Sequence, residues 1–170
     1  MQINVSQLLK SVIGTERTYT VESALNIDNQ EVTFTGNARL VKTDRGILVT
    51  GQFSADILSE CSRCLSRYLQ HLDFVIEEEY VPTMDIVTGT DLPLPEDPGT
   101  FTIDNHNILD LSEAVRQYAI LNMPLKPLCR PDCVGLCISC GANLNVTKCT
   151  CTAPVDPRWE KLVEIKSFDS

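Results

Sequence analysis

Cys61-Ser-Arg-Cys64, Cys129-x3-Cys133, Cys137-Ile-Ser-Cys140-Gly141 and Cys149-Thr-Cys151 account for all eight cysteines of the chain. A CxxC turn aims two sulfurs at one point and directs backbone N–H groups at them. Two such pairs complete the tetrahedral shell that zinc accepts. Eight thiols therefore make two four-sulfur sites and leave none over. Cys137, Cys140, Cys149 and Cys151 fall within fifteen residues and carry the Cys-x-x-Cys-Gly form of a zinc knuckle. Cys61 and Cys64 are paired with Cys129 and Cys133 across 64 residues of chain. A site with four cysteines keeps no vacant position for water or substrate, so both Zn2+ ions are expected to be structural rather than catalytic.

Disulfides, an iron–sulfur cluster and redox-active CxxC pairs are the competing uses of these thiols. Eight cysteines in 170 residues fall below the roughly 8–10% that marks a disulfide scaffold. The start, Met1-Gln-Ile-Asn-Val-Ser-Gln-Leu-Leu-Lys10, lacks the basic-then-apolar form of a secretory signal. No stretch approaches the roughly 18 apolar residues of a membrane span. A cytoplasmic chain with reduced thiols is the expectation, and there such spacings mean metal or redox chemistry. Cluster-binding cysteines usually take other spacings. His71 and His106 belong to no metal or nucleophile motif, and the eight glycines form no phosphate loop. No enzyme activity is expected.

The elements that must hold these cysteines are readable from period and punctuation. Val5 to Ile13 can form a helical turn or two, and Thr18 to Ile27 is β-rich up to a turn at Asp28-Asn29. Val32, Phe34, Gly36, Ala38 and Leu40 alternate with polar residues, as do Ile47, Val49, Gly51, Phe53, Ala55 and Ile57 beyond a turn at Asp44-Arg45-Gly46. Tyr68, Leu72, Phe74, Ile76 and Tyr80 lie on one face of a third strand. Cys61 and Cys64 thus sit at the tip of a β-hairpin. Residues 81–100, with Pro82, Pro93, Pro95, Pro98, four acids and no bases, read as an extended loop. Asp110-Leu-Ser-Glu113 has the form of a capping box. It opens a helix with Leu111, Ala114, Val115, Tyr118 and Leu121 as the core stripe, stopped at Pro124. Asp156-Pro-Arg-Trp159 starts a last helix by an aspartate cap and a proline in the first turn.

Charge is uneven. Residues 1–124 hold 8 basic and 18 acidic groups (−10), and residues 125–170 hold 6 and 5 (+1). Between Arg67 and Arg116 there are eleven acids and no Lys or Arg. Binding to phosphate backbones rests on many Lys and Arg contacts. The acidic part reads as a solvated face and a loop, or as a surface for a basic partner such as a ribosomal protein, rather than as a binder of nucleic acid, and the mixed-charge end is the better place for RNA.

The order of these features resembles the YceD-type large ribosomal RNA subunit accumulation proteins of bacteria and plastids. The resemblance rests on the β-rich half, the Cys-x-Arg-Cys-Leu tip, the acidic stretch, the Asp-Leu-Ser-Glu helix start, Pro124-Leu-Lys-Pro-Leu-Cys129, and the Gly135-Leu-Cys-x-x-Cys-Gly-Ala-Asn-Leu-Asn145 knuckle. It spans about residues 20–152, and the block from Pro124 to Cys151 is its specific part. It implies a non-enzymatic factor needed for normal levels or processing of large-subunit (23S) rRNA. It also implies that some members keep the Cys61/Cys64 and 129–133 pairs without the knuckle, as two independent sites would allow.

The expectation is an α+β fold: an antiparallel, meander-like sheet with one main helix and a C-terminal zinc knuckle. Its parts are a β-rich domain with helix at 1–128, a zinc-binding module at 129–152 and a helical tail at 153–170. The expected function is a zinc-binding factor supporting rRNA accumulation or ribosome assembly through large-subunit rRNA or a basic ribosomal protein, without membrane or small-molecule substrate. The alternative is a thiol redox or zinc-dependent regulatory protein.

Overall fold

The structure, a computed structural model, describes residues 1–93, 97–152 and 158. The chain divides into two compact units: residues 1–59 with 69–125, and residues 60–68 with 126–170.

The first unit is built on a sheet. In chain order its elements are β1 (Gln2–Asn4), α1 (Ser6–Leu9), β2 (Glu16–Ile27), β3 (Gln30–Lys42), β4 (Ile47–Glu60), β5 (Arg67–Pro82), β6 (Phe101–Ile103), β7 (Ile108–Asp110) and α2 (Ser112–Asn122). The sheet order is β1-β7-β6-β5-β4-β3-β2, and the sheet curls into a half-barrel. The first hairpin turns at Asp28 (φ 48°) and Asn29 (φ 64°), residues that tolerate the left-handed conformation a two-residue turn demands. From there β2 pairs with β3, and β3 with β4, in antiparallel register.

The expected α+β fold with one main helix is corrected here. Among the described residues strands dominate, and the helices are a four-residue α1 and an eleven-residue α2. The period-two pattern runs farther than the sequence reading allowed. β2 to β5 are each 12 to 16 residues long, and two short strands follow the acidic stretch. Nor is the sheet wholly antiparallel, because β6 pairs with the end of β5 in parallel, Tyr80 opposite Phe101. Their rings stack at 5.2 Å, an apolar contact that draws the returning chain to β5.

The alternating residues do form the core. Val32, Phe34, Ala38, Leu40, Val49, Phe53, Ile57, Phe74 and Ile76 are all buried, with Phe74 edge-on to Phe34 and stacked on Phe53. Each such large side chain contributes about 1.5–3 kcal/mol by leaving water, so the unit has a core that needs no metal. A Cβ at Gly51 would stand 2.6 Å from the Phe53 ring, which is why this apolar position holds glycine.

Two finer expectations about α2 also change. The expected capping box does not form: Leu111 stands at the N-cap without a side-chain cap, and Asp110 Oδ1 accepts the Ser112 N–H at 2.8 Å in a turn just ahead of the helix. Glu113 binds Arg116 and Gln117 instead, at 2.6–2.9 Å. The buried stripe is Leu111, Ala114, Val115 and Ala119, and Leu121 is 78% exposed. Two residues beyond Ala119 is a rotation of about 200° around the helix, so Leu121 faces away from the core. In the 81–100 stretch, Asp85 accepts the N–H groups of Val87 and Thr88 at 2.8 Å and Met84 bridges Asp91. The expected tail helix beginning at Asp156 lies outside the described residues.

Candidate metal centre

The second unit has little apolar content of its own, and its cysteines are its centre. Cys61 follows the last residue of β4, and Cys64 stands just ahead of β5. The turn between them has a fixed pattern. The Cys61 carbonyl accepts the Leu65 N–H at 2.9 Å, and the Cys61 N–H donates to the Ser66 carbonyl at 3.0 Å. Leu65 takes φ 57°. The chain after α2 is tied to this turn by Ser62 N–H to the Pro127 carbonyl at 2.8 Å. Leu136 N–H to the Arg63 carbonyl at 3.2 Å is a second tie, and the Arg63 guanidinium to the Cys133 carbonyl at 2.8 Å a third. These bonds put Cys129 and Cys133 opposite Cys61 and Cys64.

The four sulfurs lie within 4.8 Å of one another, with Cys61–Cys133 at 3.7 Å and Cys64–Cys129 at 3.6 Å. Sulfurs at the corners of a tetrahedron around zinc, each about 2.3 Å from the ion, stand about 3.8 Å apart. A disulfide would need about 2.05 Å. The donor set fits zinc. Cys61, Cys64 and Cys133 are buried, covered by Tyr68, Leu128, Cys129 and Leu136.

The second tetrad repeats the turn. Cys137 accepts the Gly141 N–H at 2.9 Å and donates to the Ala142 carbonyl at 2.8 Å, with Gly141 at φ 71°. Cys149 and Cys151 bring the other two sulfurs, again with all four within 4.8 Å. Here Cys140 and Cys151 are exposed. The hairpin leading into this turn is held by Leu144 N–H to the Gly135 carbonyl at 2.9 Å. Gly135 takes φ 86°, and a Cβ there would meet the Arg63 carbonyl at 3.1 Å, so glycine is required on both counts.

The electrostatics ask for a cation. Hydrogen bonds from the Cys129, Cys64 and Arg63 backbones, the first the strongest, bring the Cys61 thiol down to about 6 against burial, which pushes it up. Burial, then the sulfurs of Cys64, Cys61 and Cys133, push Cys129 up to about 12. In the second tetrad the Cys140 and Ser139 backbones bring Cys137 down to about 6, while the neighbouring Cys140 sulfur pushes Cys151 up to about 12. In each tetrad the close sulfurs thus oppose one another's ionisation, one thiol being drawn down while another is pushed up. A divalent cation removes the conflict by letting all four deprotonate.

The structure brings Cys61, Cys64, Cys129 and Cys133 together in one cluster and Cys137, Cys140, Cys149 and Cys151 in another. One further residue was missed. Asn145 directs its Nδ2 at the Cys133 sulfur (3.3 Å), while its Oδ1 accepts the Val134 N–H (2.9 Å) and the Arg130 guanidinium (2.8 Å). The signal was in the Asn143-Leu-Asn145 run, whose first member orients the second through Asn143 Oδ1. The histidines stand apart from either tetrad. His71 lies exposed on β5 between Asp56 (2.7 Å) and Asp73 (3.2 Å), and both carboxylates raise its pKa, Asp56 foremost. The His106 N–H closes a polar turn on Asp104.

Residues 49–166 match the description of the large ribosomal RNA subunit accumulation protein YceD family. This chain belongs to that family. An uncharacterized protein of Mycobacterium tuberculosis is 34% identical over 132 residues, covering 78% of this chain and 61% of that one. A Mycobacterium leprae relative is 28% identical over 131 residues, 77% of this chain and 58% of its own length. The chain therefore spans less than two thirds of these relatives. A maize protein named large ribosomal RNA subunit accumulation protein YCED homolog 1, chloroplastic, is 48% identical over 44 residues, 25% of this chain and 15% of that protein. No solved structure matches. Among the described residues no helix is long and apolar enough to cross a membrane.

Proposed function

We propose that this YceD-family protein is a non-enzymatic, cytoplasmic factor that supports large-subunit rRNA accumulation, and that it carries two structural zinc ions. Cys61, Cys64, Cys129 and Cys133 hold one ion; Cys137, Cys140, Cys149 and Cys151 hold the other. The observation that carries the metal reading is the sulfur spacing of 3.6–3.7 Å across the first tetrad, near the value for corners of a zinc tetrahedron and far from a bond. Family membership carries the rRNA reading. Four thiolates leave zinc no open position, so the ions organise a surface rather than activate water. That surface is the mixed-charge unit: residues 60–68 and 126–170 hold eight basic and six acidic groups, against 6 and 17 in residues 1–59 and 69–125.

Two measurements test this. Elemental analysis of protein purified without added metal should give two zinc ions per chain. Cys64→Ser and Cys140→Ser should each lose one, and the double mutant both. Loss of both ions from Cys64→Ser alone would end the two-site reading. Tagged protein drawn from native lysate should bring down large-subunit components. If all of them vanish after RNase the contact is rRNA, and if ribosomal proteins stay it is a basic protein. Capture of neither rRNA nor ribosomal protein would overturn the ribosomal reading. Thiols that react freely in metal-loaded protein would favour redox chemistry instead.

A further inference from the structure

A half-barrel leaves two edges, and here they are unequal: β1 has three residues, and β2 has twelve. Long free edges are usually blunted by proline, bulges, charged side chains (lysine above all) or a covering helix or loop, since their unpaired N–H and C=O groups invite another strand. From Glu16 to Ile27 there is no proline, glycine or lysine.

The parity of the edge follows from its hairpin. A two-residue turn at 28–29 makes Ile27 and Gln30 the hydrogen-bonded pair, so odd-numbered residues of β2 bond to β3. The far end agrees, because Lys42 N–H donates to the Thr15 carbonyl at 2.9 Å. The backbones of Thr18, Thr20, Glu22 and Ala24 therefore point outward. No hydrogen-bond partner reaches these groups among the described residues. Beside them a cleft of about 780 Å³ is lined by Met1 to Asn4 on one wall and Tyr19 to Ser23 on the other.

We propose that this cleft receives an extended, basic peptide segment of a protein partner, which adds to β2 as a further strand. Main-chain hydrogen bonds to Thr18, Thr20, Glu22 and Ala24 would hold it. Its side chains alternate, and so do the surroundings. One set lies beside half-buried Tyr19 and Val21 and takes apolar residues. The other lies beside exposed Thr20 and Glu22 and takes cations. Glu22 is in no ion pair among the described residues, and Arg17, the one base on β2, is held by Gln7 at 3.0 Å. The surrounding unit carries 6 basic and 17 acidic groups, a formal −11. That charge attracts a basic strand and opposes a second copy of the same edge. The inference rests on the sheet alone and stands whether or not the tetrads bind metal.

The test uses the full chain and a fluorescent octapeptide of alternating valine and lysine, at physiological salt, with a valine–glutamate octapeptide as control. The lysine peptide should bind at least tenfold tighter than the glutamate peptide. Its binding should slow hydrogen exchange at the Thr20 and Glu22 amides. Thr20→Pro removes one outward N–H, and an edge strand tolerates proline there. It should weaken binding at least tenfold while the Val21 and Ser23 amides, bonded to β3, stay protected. Glu22→Lys should weaken the lysine peptide alone. The proposal is overturned by unchanged exchange at Thr20 and Glu22 on saturation, or by full binding to a folded Thr20→Pro protein. It is also overturned by a homodimer in sedimentation that Thr20→Pro dissolves, which would make a second copy the occupant.

Discussion

The two tetrads use one turn for opposite purposes. In both, the first cysteine accepts an N–H from the residue four ahead at 2.9 Å and donates to the carbonyl five ahead, and the residue four ahead is left-handed. Around the first turn the sulfurs come from segments 65 residues apart, and three of the four cysteines are buried. Around the second they come from fifteen consecutive residues, and two of the four cysteines are exposed. Identical local geometry thus serves once as a staple between distant stretches of chain and once as a self-contained module. Burial and chain separation, rather than the turn, should set how each responds to loss of metal.

The largest effect should come from removing metal altogether. Binding energy at a site that is not preformed is folding energy, on the order of 10 kcal/mol for a structural zinc. The first unit has its own core, with Phe34, Phe53 and Ile76 buried. A strong chelator should therefore release zinc in two phases, the exposed tetrad first. Hydrogen exchange should then report loss of protection in residues 60–68 and 126–152 while β2, β3 and β4 stay protected. Release in a single phase with one cooperative collapse of all amides would break the comparison.

A smaller effect should separate the sites through Asn145, whose Nδ2 serves only Cys133 among the described cysteines. Partners of this kind typically account for 10–100-fold in metal affinity. Asn145→Ala should weaken the first site by that range and leave the second unchanged, as read by competition with a graded chelator. Equal weakening at both sites would mean that the tetrads are coupled.

Much of this was legible in the sequence, and the gaps have physical causes. Cysteine spacing within the knuckle is a local quantity, so Cys137, Cys140, Cys149 and Cys151 could be grouped directly, whereas Cys61 and Cys64 were matched with Cys129 and Cys133 only because those four remained. Strict alternation from Val32 to Leu40 and from Ile47 to Ile57 likewise revealed two strands and their buried faces. What could not be read depended on distant contacts. β6 and β7 are three residues each, too short for any period, and their place in the sheet is set by contacts such as Phe101 on Tyr80. Glu113 looked like the far half of a capping box, but the helix caps at Leu111, one residue later, which leaves Glu113 at its second position to bind Arg116 and Gln117 instead. Asn145 was hidden because its value lies in reaching a sulfur twelve residues back.

The smallest predicted effect lies at the residue four places after each first cysteine. Gly141 takes its φ of 71° without steric cost, whereas Leu65 takes φ 57° with a Cβ in the way. A left-handed conformation costs an L-residue roughly 1–2 kcal/mol. Against this, glycine loses more chain entropy on folding, about 0.5–1 kcal/mol. Leu65 is 57% exposed, so little burial is lost with its side chain. The strain term wins by a narrow margin. Leu65→Gly should stabilise the metal-loaded second unit by about 0.5–1 kcal/mol, and Gly141→Leu should destabilise it by about the same amount. Both can be read from hydrogen exchange of the N–H donated to Cys61 or Cys137. If Leu65→Gly instead destabilises, its side chain makes up for the strain by packing, and the two turns are alike in backbone only.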